Sequence, residues 1–433
     1  MPRQRSPCHS MKAYSAYYKG ERIEFDLPKS WNVLTVAEPK ETKPLQDVSR
    51  QLRDNLEHPL GTRSLRELAV GARSVAIISD DQTRPTPVHV LLPTLLDELN
   101  SAEVPDSRIS IIIGRGTHRP PNEEECAKKL GEHSVRRVSV KVHDPDDAKG
   151  LRYLGVSSRG TPVWVNNLVV DADLRIGIGN VAPHYFAGYG GGPKIILPGV
   201  SGRETIVRNH VLITDPNTIQ GKVDGNPIYS DMLEIARMAH LDMKIDVLLD
   251  MENRITSIVA GDVTSAHRKG IEEVDKIYGI KPPAMADVVI TSGYPLEENL
   301  IQSNKATLSA GLMTKDGGTI ILLSGCYDGP GPKLYETLSE RPDPEEVVRW
   351  IAEGKAGPSG GPSAGRIRQM LKTKKIVVVT DGISKKMLED MEMSSSASIQ
   401  DAIAETCREK ERADVIIMPA GGSMNPITSS LSS

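Results

Sequence analysis

Short apolar runs that each end in a polar loop recur along the chain, and this pattern constrains the fold more than any other feature. The first three runs cover 75–79, 109–113 and 174–178, and helical segments are predicted at 88–99 and 122–130. Apolar runs this short are typical of strands buried on both faces. Because strands that alternate with helices usually form a parallel sheet with helices on each face, the sequence predicts an α/β fold.

A second series of strands follows a break at Pro282 and Pro283, and the break indicates a domain boundary. We predict two lobes, each with a mostly parallel sheet flanked by helices, and an active site in the cleft between them. The predicted segments are a disordered extension at 1–10, an N-terminal α/β domain at 11–280, a C-terminal α/β domain at 281–415, and a tail at 416–433 that could return to the first domain. Smaller predicted features are a strand or hairpin at 14–27 and a loop rich in Gly, Pro and Ser at 354–365.

Composition argues against several classes of protein. The 433 residues carry a net charge of −4 and contain no basic run, which disfavours a nucleic-acid partner. No apolar stretch has the length of a membrane span, and the first residues lack the apolar core of a signal peptide. The four cysteines are scattered and form no C-x-x-C pair, as is usual in a reducing compartment. We therefore expect a cytoplasmic protein that binds neither nucleic acid nor membrane.

The segment 183–199 is the least ordinary part of the sequence, because five glycines surround one lysine, Lys194. The three consecutive glycines at 190–192 predict a loop whose amides face an anion. The apolar run after Lys194 could lower the pKa of its amine and make it nucleophilic. A triphosphate-binding loop is disfavoured, because Pro193 removes an amide donor and Ile195 replaces the hydroxyl residue that binds magnesium.

Residues of catalytic type occupy three loops at the carboxyl ends of predicted strands, where parallel sheets bind their ligands. Asp81 and Arg84 follow the first strand, and His118 follows the second. The third strand leads to His184 and Lys194. We therefore predict one site built from the three loops. Plainer roles are also open, since Asp81 could cap the next helix and Arg84 could be a surface charge.

Five motifs, in their order and spacing, resemble those of the lactate racemase family. They are Asp81-Gln82-Thr83-Arg84-Pro85, Gly116-Thr117-His118-Arg119-Pro120, His184 with Gly190-Gly191-Gly192-Pro193-Lys194, Asn209-His210, and Gln302 with Lys305. The resemblance covers residues 75–330 and extends to the two-domain layout. It implies a racemase or epimerase that inverts the Cα of a 2-hydroxy acid by hydride abstraction and return, through a covalently tethered nickel-pincer nucleotide.

The resemblance also implies a role for each residue. Lys194 would tether the nucleotide, and His210 would bind the nickel. His118 and His184 would be alternating general base and acid. Arg84 would hold the substrate carboxylate through its planar guanidinium. The remaining implied contacts are to the ribose and phosphate, from Asp81, Gly190, Gly191 and Gly192, and to the substrate, from Gln302 and Lys305.

The implied partners are a small 2-hydroxy acid and the proteins that synthesise the cofactor. The cofactor itself can be absent from recombinant protein. Two departures from the family pattern concern the substrate side chain: Ile301 stands where lactate racemase has an aromatic residue, and no tryptophan lies in 354–365. We therefore expect a substrate other than lactate.

Two other functions are considered beside this one. A non-catalytic two-lobed binder of an anionic small molecule would keep Arg84 and the glycines, but would not need Lys194 together with the histidines. An NAD-dependent dehydrogenase is disfavoured, because Gly177-Ile178-Gly179 does not continue as a dinucleotide-binding turn.

Overall fold

The structure is a computed structural model that describes residues 12–357 and 360–427, so the extension predicted at 1–10 lies outside the described residues. The described chain divides into two compact units. One unit is continuous and holds residues 41–276, whereas the other combines residues 12–40 with those from 277 onward. Each unit is built on a six-stranded sheet flanked by helices, which confirms the predicted α/β class and the two-domain layout.

The elements are numbered in chain order. The strands are β1 (Lys12–Tyr18), β2 (Glu21–Leu27), β3 (Trp31–Val36), β4 (Val75–Asp80), β5 (Ile109–Gly114), β6 (Ser139–Val142), β7 (Leu151–Val156), β8 (Pro162–Asn166), β9 (Leu174–Asn180), β10 (Pro183–His184), β11 (Gly188–Tyr189), β12 (Met243–Leu249), β13 (Ile255–Gly261), β14 (Gly279–Ile280), β15 (Ala286–Ser292), β16 (Thr314–Leu323), β17 (Lys375–Val379), β18 (Ser394–Ser396), β19 (Ala413–Met418) and β20 (Asn425–Pro426). The helices are α1 (Val48–Glu57), α2 (Leu65–Ala69), α3 (Val88–Ser101), α4 (Glu123–Leu130), α5 (Glu132–Arg137), α6 (Asn167–Val170), α7 (Arg203–His210), α8 (Pro227–Met238), α9 (Val263–Tyr278), α10 (Leu300–Gly311), α11 (Leu334–Ser339), α12 (Pro344–Ala352), α13 (Gly360–Leu371), α14 (Lys385–Asp390) and α15 (Ile399–Glu409).

The sheet of the continuous unit has the strand order β13-β12-β9-β4-β5-β6, and only β13 runs antiparallel to its neighbour. Its strands are buried on both faces: Ile77 of β4 packs into one apolar core with α1, α2 and α3, and Ile78 packs into the opposite core with α8. The chain moves outward from β4 through β5 to β6, and then returns to the other side of β4 with β9. The strand order therefore reverses between β4 and β9, the kind of position at which open α/β sheets bind ligands.

The sheet of the other unit is entirely parallel, in the order β18-β17-β16-β15-β19-β3. Strand β3 joins it at the edge by pairing with β19, and β1 and β2 form an antiparallel hairpin. Residues 12–40 thus belong to this unit, whereas the sequence analysis placed them in the N-terminal domain. The difference arises because a pairing between segments so far apart in sequence leaves no local signal. Strand β20 pairs with β14 in the same unit, so the described part of the predicted tail does not return to the first domain.

One predicted loop is wrong in part, because helix α13 begins at Gly360, inside the segment 354–365. Glycine there permits close helix packing: a Cβ on Gly361 would lie 2.6 Å from Cγ1 of Ile351 on α12. The composition of this segment therefore reflects a tight helix–helix contact. No helix in the described part of the chain combines the length and the apolar character that a membrane span requires.

Candidate active site

Three loops meet at the carboxyl ends of β4, β5 and β9, where the strand order of the continuous unit reverses. The hydroxyl of Thr86, after β4, donates to Oδ1 of Asn180 at the end of β9, over 2.9 Å. The amide of Gly116, after β5, donates to the carbonyl of Gly199 over 2.9 Å. These contacts bring together the loops that carry Asp81, His118 and Lys194.

Asp81 and His118 form a hydrogen-bonded pair. Oδ2 of Asp81 lies 2.6 Å from Nδ1 of His118, and Oδ1 accepts from the amide and the hydroxyl of Thr83 over 2.9 and 2.6 Å. Burial raises the pKa of Asp81, which is only 2% exposed, but the bond to His118 and its charge outweigh burial and leave the pKa below its ordinary value. The carboxylate therefore stays ionised and orients the imidazole. Asp81 does not cap α3, whose N-cap is Pro87 without a side-chain hydrogen bond.

Arg84 lies on an exposed turn whose backbone accepts hydrogen bonds from a buried side chain. Its guanidinium makes no hydrogen bond or ion pair with any described residue, so it is available to a ligand. Its backbone is fixed, because Nζ of the buried Lys129 donates to the carbonyls of Arg84 and Thr86 over 2.9 and 3.0 Å. The same ammonium lies 2.6 Å from Oδ1 of Asp80. A restrained backbone that presents an unpaired guanidinium suits the recognition of a carboxylate.

The three consecutive glycines at 190–192, here called the glycine segment, are arranged differently from the prediction that their amides face an anion. The amide of Gly190 donates to the carbonyl of Ala182 over 2.7 Å, and the amide of Gly192 donates to Oδ2 of Asp246 over 2.9 Å. Neither amide is free for an anion in this arrangement. Gly191 and Gly192 have positive φ angles of 75° and 51°. A Cβ on Gly191 would lie 2.8 Å from the carbonyl oxygen of Asn180, so close packing also accounts for these glycines.

Lys194 follows the glycine segment and lies in a short 3-10 helix, Gly192–Ile195. Its Nζ lies 3.3 Å from Nε2 of His184, within hydrogen-bonding distance, and 5.1 Å from the centroid of the Phe186 ring. The ring of His184 contacts the Phe186 ring edge to face at 4.5 Å. Ile195, next to Lys194, is buried in an apolar core. The structure thus places a primary amine beside the imidazole of His184 and over the apolar ring of Phe186.

His210 is the last residue of α7. Its ring also contacts the Phe186 ring edge to face, with the two ring centroids 5.1 Å apart. Burial lowers its pKa to about 4, and the positive charge of Lys194 contributes to the shift. Its Nδ1 is buried without a hydrogen bond of normal geometry, although the carbonyl of Ile206 lies one helical turn back. A neutral imidazole with an unused nitrogen is the form that binds metal ions.

These features test whether the predicted cofactor fits. Within 12–357 and 360–427, no three His, Cys, Asp or Glu side chains form a cluster that could hold a metal ion. His210 would be a ligand from the protein, and further donors would come from the bound group. The residues present fit a metal that arrives within an organic cofactor attached near Lys194.

Gln302 and Lys305 lie on α10, in the other unit. Asn299 caps this helix by accepting from the amide of Gln302 over 3.1 Å. Ile301, on the same turn, is partly buried, and a Cβ on Gly331 would lie 2.9 Å from its Cδ1. Gln302 and Lys305, three residues apart, therefore lie on one helix.

Several residues with well-defined contacts were not found from the sequence. They are Lys244 and Asp246 on β12, His267 on α9, Tyr229 and Asp231 on α8, and Lys129 on α4. Nδ2 of Asn209 donates to the buried Oδ2 of Asp231 over 2.9 Å, which fixes the helix that carries His210. Isolated polar residues in strands and helices form no motif. The only usable signal was the polar pair Lys244 and Asp246 inside an otherwise apolar strand.

Comparison with known proteins agrees with the motifs. The family model of the lactate racemase N-terminal domain matches residues 18–221, and that of the lactate racemase C-terminal domain matches residues 282–425. Lactate racemase from Thermoanaerobacterium thermosaccharolyticum is 33% identical over 395 residues, which cover 89% of this chain and 92% of that protein. Lactate racemase from Lactiplantibacillus plantarum is 33% identical over 376 residues, covering 85% and 88%.

Solved structures show the same relationship. The lactate racemase apoprotein from Thermoanaerobacterium thermosaccharolyticum superposes with a TM-score of 0.85 and 32% identity, over 96% of this chain and 100% of that chain. A protein from Thermotoga maritima superposes with a TM-score of 0.61 over 89% of this chain and 99% of that chain. It is 18% identical, so it shows only that the fold is shared.

Proposed function

Because the chain belongs to the lactate racemase family, we propose that it inverts the Cα configuration of a 2-hydroxy acid whose side chain differs from that of lactate. The family identified from the motifs is confirmed, and the chain is an isomerase rather than the non-catalytic binder considered above. The observation that carries the proposal is the pairing of His118 with the buried Asp81 on the same sheet edge as His184 and Lys194.

Arg84 would bind the substrate carboxylate. Its guanidinium is exposed and its backbone is held by Lys129, so a bidentate ion pair needs little rearrangement of the loop. Gln302 and Lys305, two of the polar residues of α10, are proposed to bind the same substrate. Binding through the carboxylate leaves the hydroxyl group and the hydrogen at Cα for the catalytic residues.

The two histidines would transfer protons to and from the hydroxyl group of the substrate. Because Nδ1 of His118 donates to the carboxylate of Asp81, its Nε2 is the nitrogen that can accept a proton from the substrate. His184 would do the same for the other enantiomer, whose hydroxyl points in a different direction. In each direction one histidine would accept the hydroxyl proton as the base, and the other, already protonated, would donate a proton to the oxygen of the inverted product as the acid. Proton exchange with solvent would then restore the starting protonation of both imidazoles.

Lys194 and His210 would hold the nickel-pincer nucleotide, the first through its amine and the second through its imidazole. When bound, this group would supply a reversible acceptor for the hydride of Cα. Asp81 is an orienting residue for His118 in this proposal. We therefore do not retain it, or the amides of Gly190 and Gly192, as contacts to the ribose and phosphate.

The proposal is tested with cofactor-loaded enzyme and a panel of enantiopure 2-hydroxy acids, by following optical inversion. We expect inversion of at least one acid, with kcat/KM higher than for lactate. If lactate is the best substrate, the argument from Ile301 and the segment 354–365 is wrong. If no 2-hydroxy acid or sugar acid is inverted, the proposed reaction is wrong.

A further inference from the structure

A buried ion pair contacts the glycine segment, residues 190–192, and the proposed reaction assigns no role to this pair. Lys244 and Asp246 lie on β12, both side chains are 0% exposed, and Nζ lies 2.6 Å from Oδ1. The alternate residues of the strand, such as Ile245, face the apolar core on the opposite side of the sheet. Burying two charges is costly even when they are paired, and apolar residues of similar size often serve stability equally well. A positional role would explain the pair.

The neighbouring strand leaves room for this pair. Lys244 and Asp246 lie opposite Gly177 and Gly179 of β9 in the parallel register. A Cβ on Gly177 would lie 3.1 Å from Cδ of Lys244, and a Cβ on Gly179 would lie 3.2 Å from its Nζ. These two glycines, which do not continue as a dinucleotide-binding turn, therefore accommodate the lysine side chain.

Asp246 also contacts the glycine segment directly. Its Oδ2 accepts the amide of Gly192 over 2.9 Å, while Nζ of Lys244 donates to Oδ1 and to the carbonyl of Ile245 over 2.8 Å. Gly191 provides the next link, because its carbonyl accepts the amide of Lys194 over 3.1 Å. The carboxylate is thus connected to the turn that this second bond closes, which ends at Lys194.

His267 holds the segment from a second direction. Its Nε2 donates to the carbonyl of Gly190 over 2.9 Å, and since a carbonyl only accepts, this nitrogen carries the proton. Nδ1 is then the acceptor for the hydroxyl of Tyr229, 3.1 Å away. His267 is fully buried, and a Cβ on Gly192 would overlap its ring. The imidazole is satisfied at both nitrogens and packs against the segment.

We infer that Asp246 and His267 are positioning residues, which hold the backbone of 190–192 from two sides and thereby set where the amine of Lys194 meets His184. The inference rests on the proposed function of Lys194, but it concerns the protein before any cofactor is bound. Its test therefore uses cofactor-free protein and no substrate. A failure of this inference is distinguishable from a failure of the proposed reaction.

The test compares K244M/D246N with K244M/D246L. Both variants lack the buried charges. The asparagine of the first and the leucine of the second differ only modestly in size, but only the asparagine keeps an oxygen that can accept the amide of Gly192. The first readout is hydrogen exchange at the Gly192 amide. The second is the rate of acylation of Lys194 by acetic anhydride between pH 7 and 10, measured by peptide mass spectrometry relative to the exposed Lys372.

We expect exchange at Gly192 to be at least tenfold faster in K244M/D246L than in K244M/D246N. We also expect the acylation rate of Lys194 to differ at least threefold between them, because the amine is no longer held beside His184. Equal acylation profiles would overturn the inference, whatever happens to Tm or to amide exchange. In that case the pair would serve stability alone.

A second comparison covers the case in which K244M/D246L does not fold. H267F keeps an aromatic ring against Gly192 but cannot donate to Gly190, whereas Y229F leaves that donation intact. We expect an altered acylation profile for Lys194 in H267F and a profile within twofold of wild type in Y229F. Identical profiles in H267F and wild type would overturn the role of His267.

Discussion

The carboxylate of Asp81 lies 2.6 Å from Nδ1 of His118, and the pair joins the loops that follow β4 and β5. The carboxylate is buried and the imidazole is 35% exposed, so the acid lies behind the ring and the ring faces outward. This geometry orients a base and stabilises its protonated form, as in other carboxylate–imidazole pairs.

We expect Asp81→Asn to lower kcat about a hundredfold or more, because the neutral amide neither fixes the tautomer of His118 nor stabilises its charge. The kcat/KM values of the two directions should fall by the same factor, since the two enantiomers have the same free energy. Thr83→Val is the matched control: it removes one hydrogen bond to Asp81 and should cost far less. Optical inversion by loaded enzyme measures both, and a D81N enzyme of nearly wild-type kcat would exclude a role for the pair.

Arg84→Lys should lower kcat/KM about tenfold to a few hundredfold, because an ammonium group cannot form the bidentate pair with a carboxylate. Arg119→Lys is the control, since the guanidinium of Arg119 already binds Glu125 over 2.8 Å and is not available to substrate. Initial rates on the best substrate of the panel decide between them. Equal rates for both variants would show that Arg84 does not bind the carboxylate.

His210→Ala should give protein that keeps the nucleotide mass at Lys194 but loses nickel, whereas Lys194→Arg should lose the covalent adduct. Intact mass and elemental analysis on protein made with the cofactor-synthesis proteins measure the two properties separately. Full nickel content in H210A would rule out His210 as the ligand. An adduct that persists in K194R would place the attachment elsewhere.

Gly192→Ala should destabilise the protein by about 2–4 kcal/mol, because the new Cβ would overlap the His267 ring at a φ of 51°. Gly190→Ala is the matched comparison, since the nearest atom to its Cβ would be the carbonyl oxygen of Ala182 at 3.6 Å. We expect it to cost less than about 1 kcal/mol. Urea unfolding of the cofactor-free variants measures both, and equal costs would refute the packing argument.

The pH dependence of stability should include a contribution from His143. Burial lowers its pKa, and this outweighs the hydrogen bond to the carbonyl of Ser201. Since the folded pKa lies below the unfolded value of about 6.5, the contribution is complete above that pH. It is lost as the pH falls toward the folded pKa, at up to about 1.4 kcal/mol per pH unit.

His143→Gln should therefore flatten the fall in the free energy of unfolding between pH 6.5 and 5. His133→Gln, at an exposed position of α5, should leave the slope unchanged. Urea titrations at several pH values compare the three proteins. An unaltered slope in H143Q would show that other groups dominate the acid side.

The sequence predicted the central strands well because burial on both faces requires continuous apolar runs. Strands β4, β5 and β9 begin at the predicted residues and extend one or two residues further. Strand β3 was missed because its pattern is mixed and its partner β19 is remote in sequence. Helix α13 was missed because its glycines, which favour loops in general, here allow contact with α12.

The candidate site was predictable only where residues form motifs. The loops with Asp81, His118 and Lys194 follow strands, so their meeting at one sheet edge follows from the fold class. The orientation of Asp81 toward His118 depends on side-chain geometry that no spacing reveals. Asp246 and His267 were missed because polar residues inside a regular element do not form a recognisable motif.

The discontinuity of the second unit has a consequence for the order in which a ribosome produces the fold. Residues 41–276 form a continuous unit that can fold while the rest of the chain is still being translated, as domains generally do. Strand β3 emerges before that unit, but its pairing partner β19 is made after it. The edge strand β3 must therefore stay unpaired until β19 has been translated.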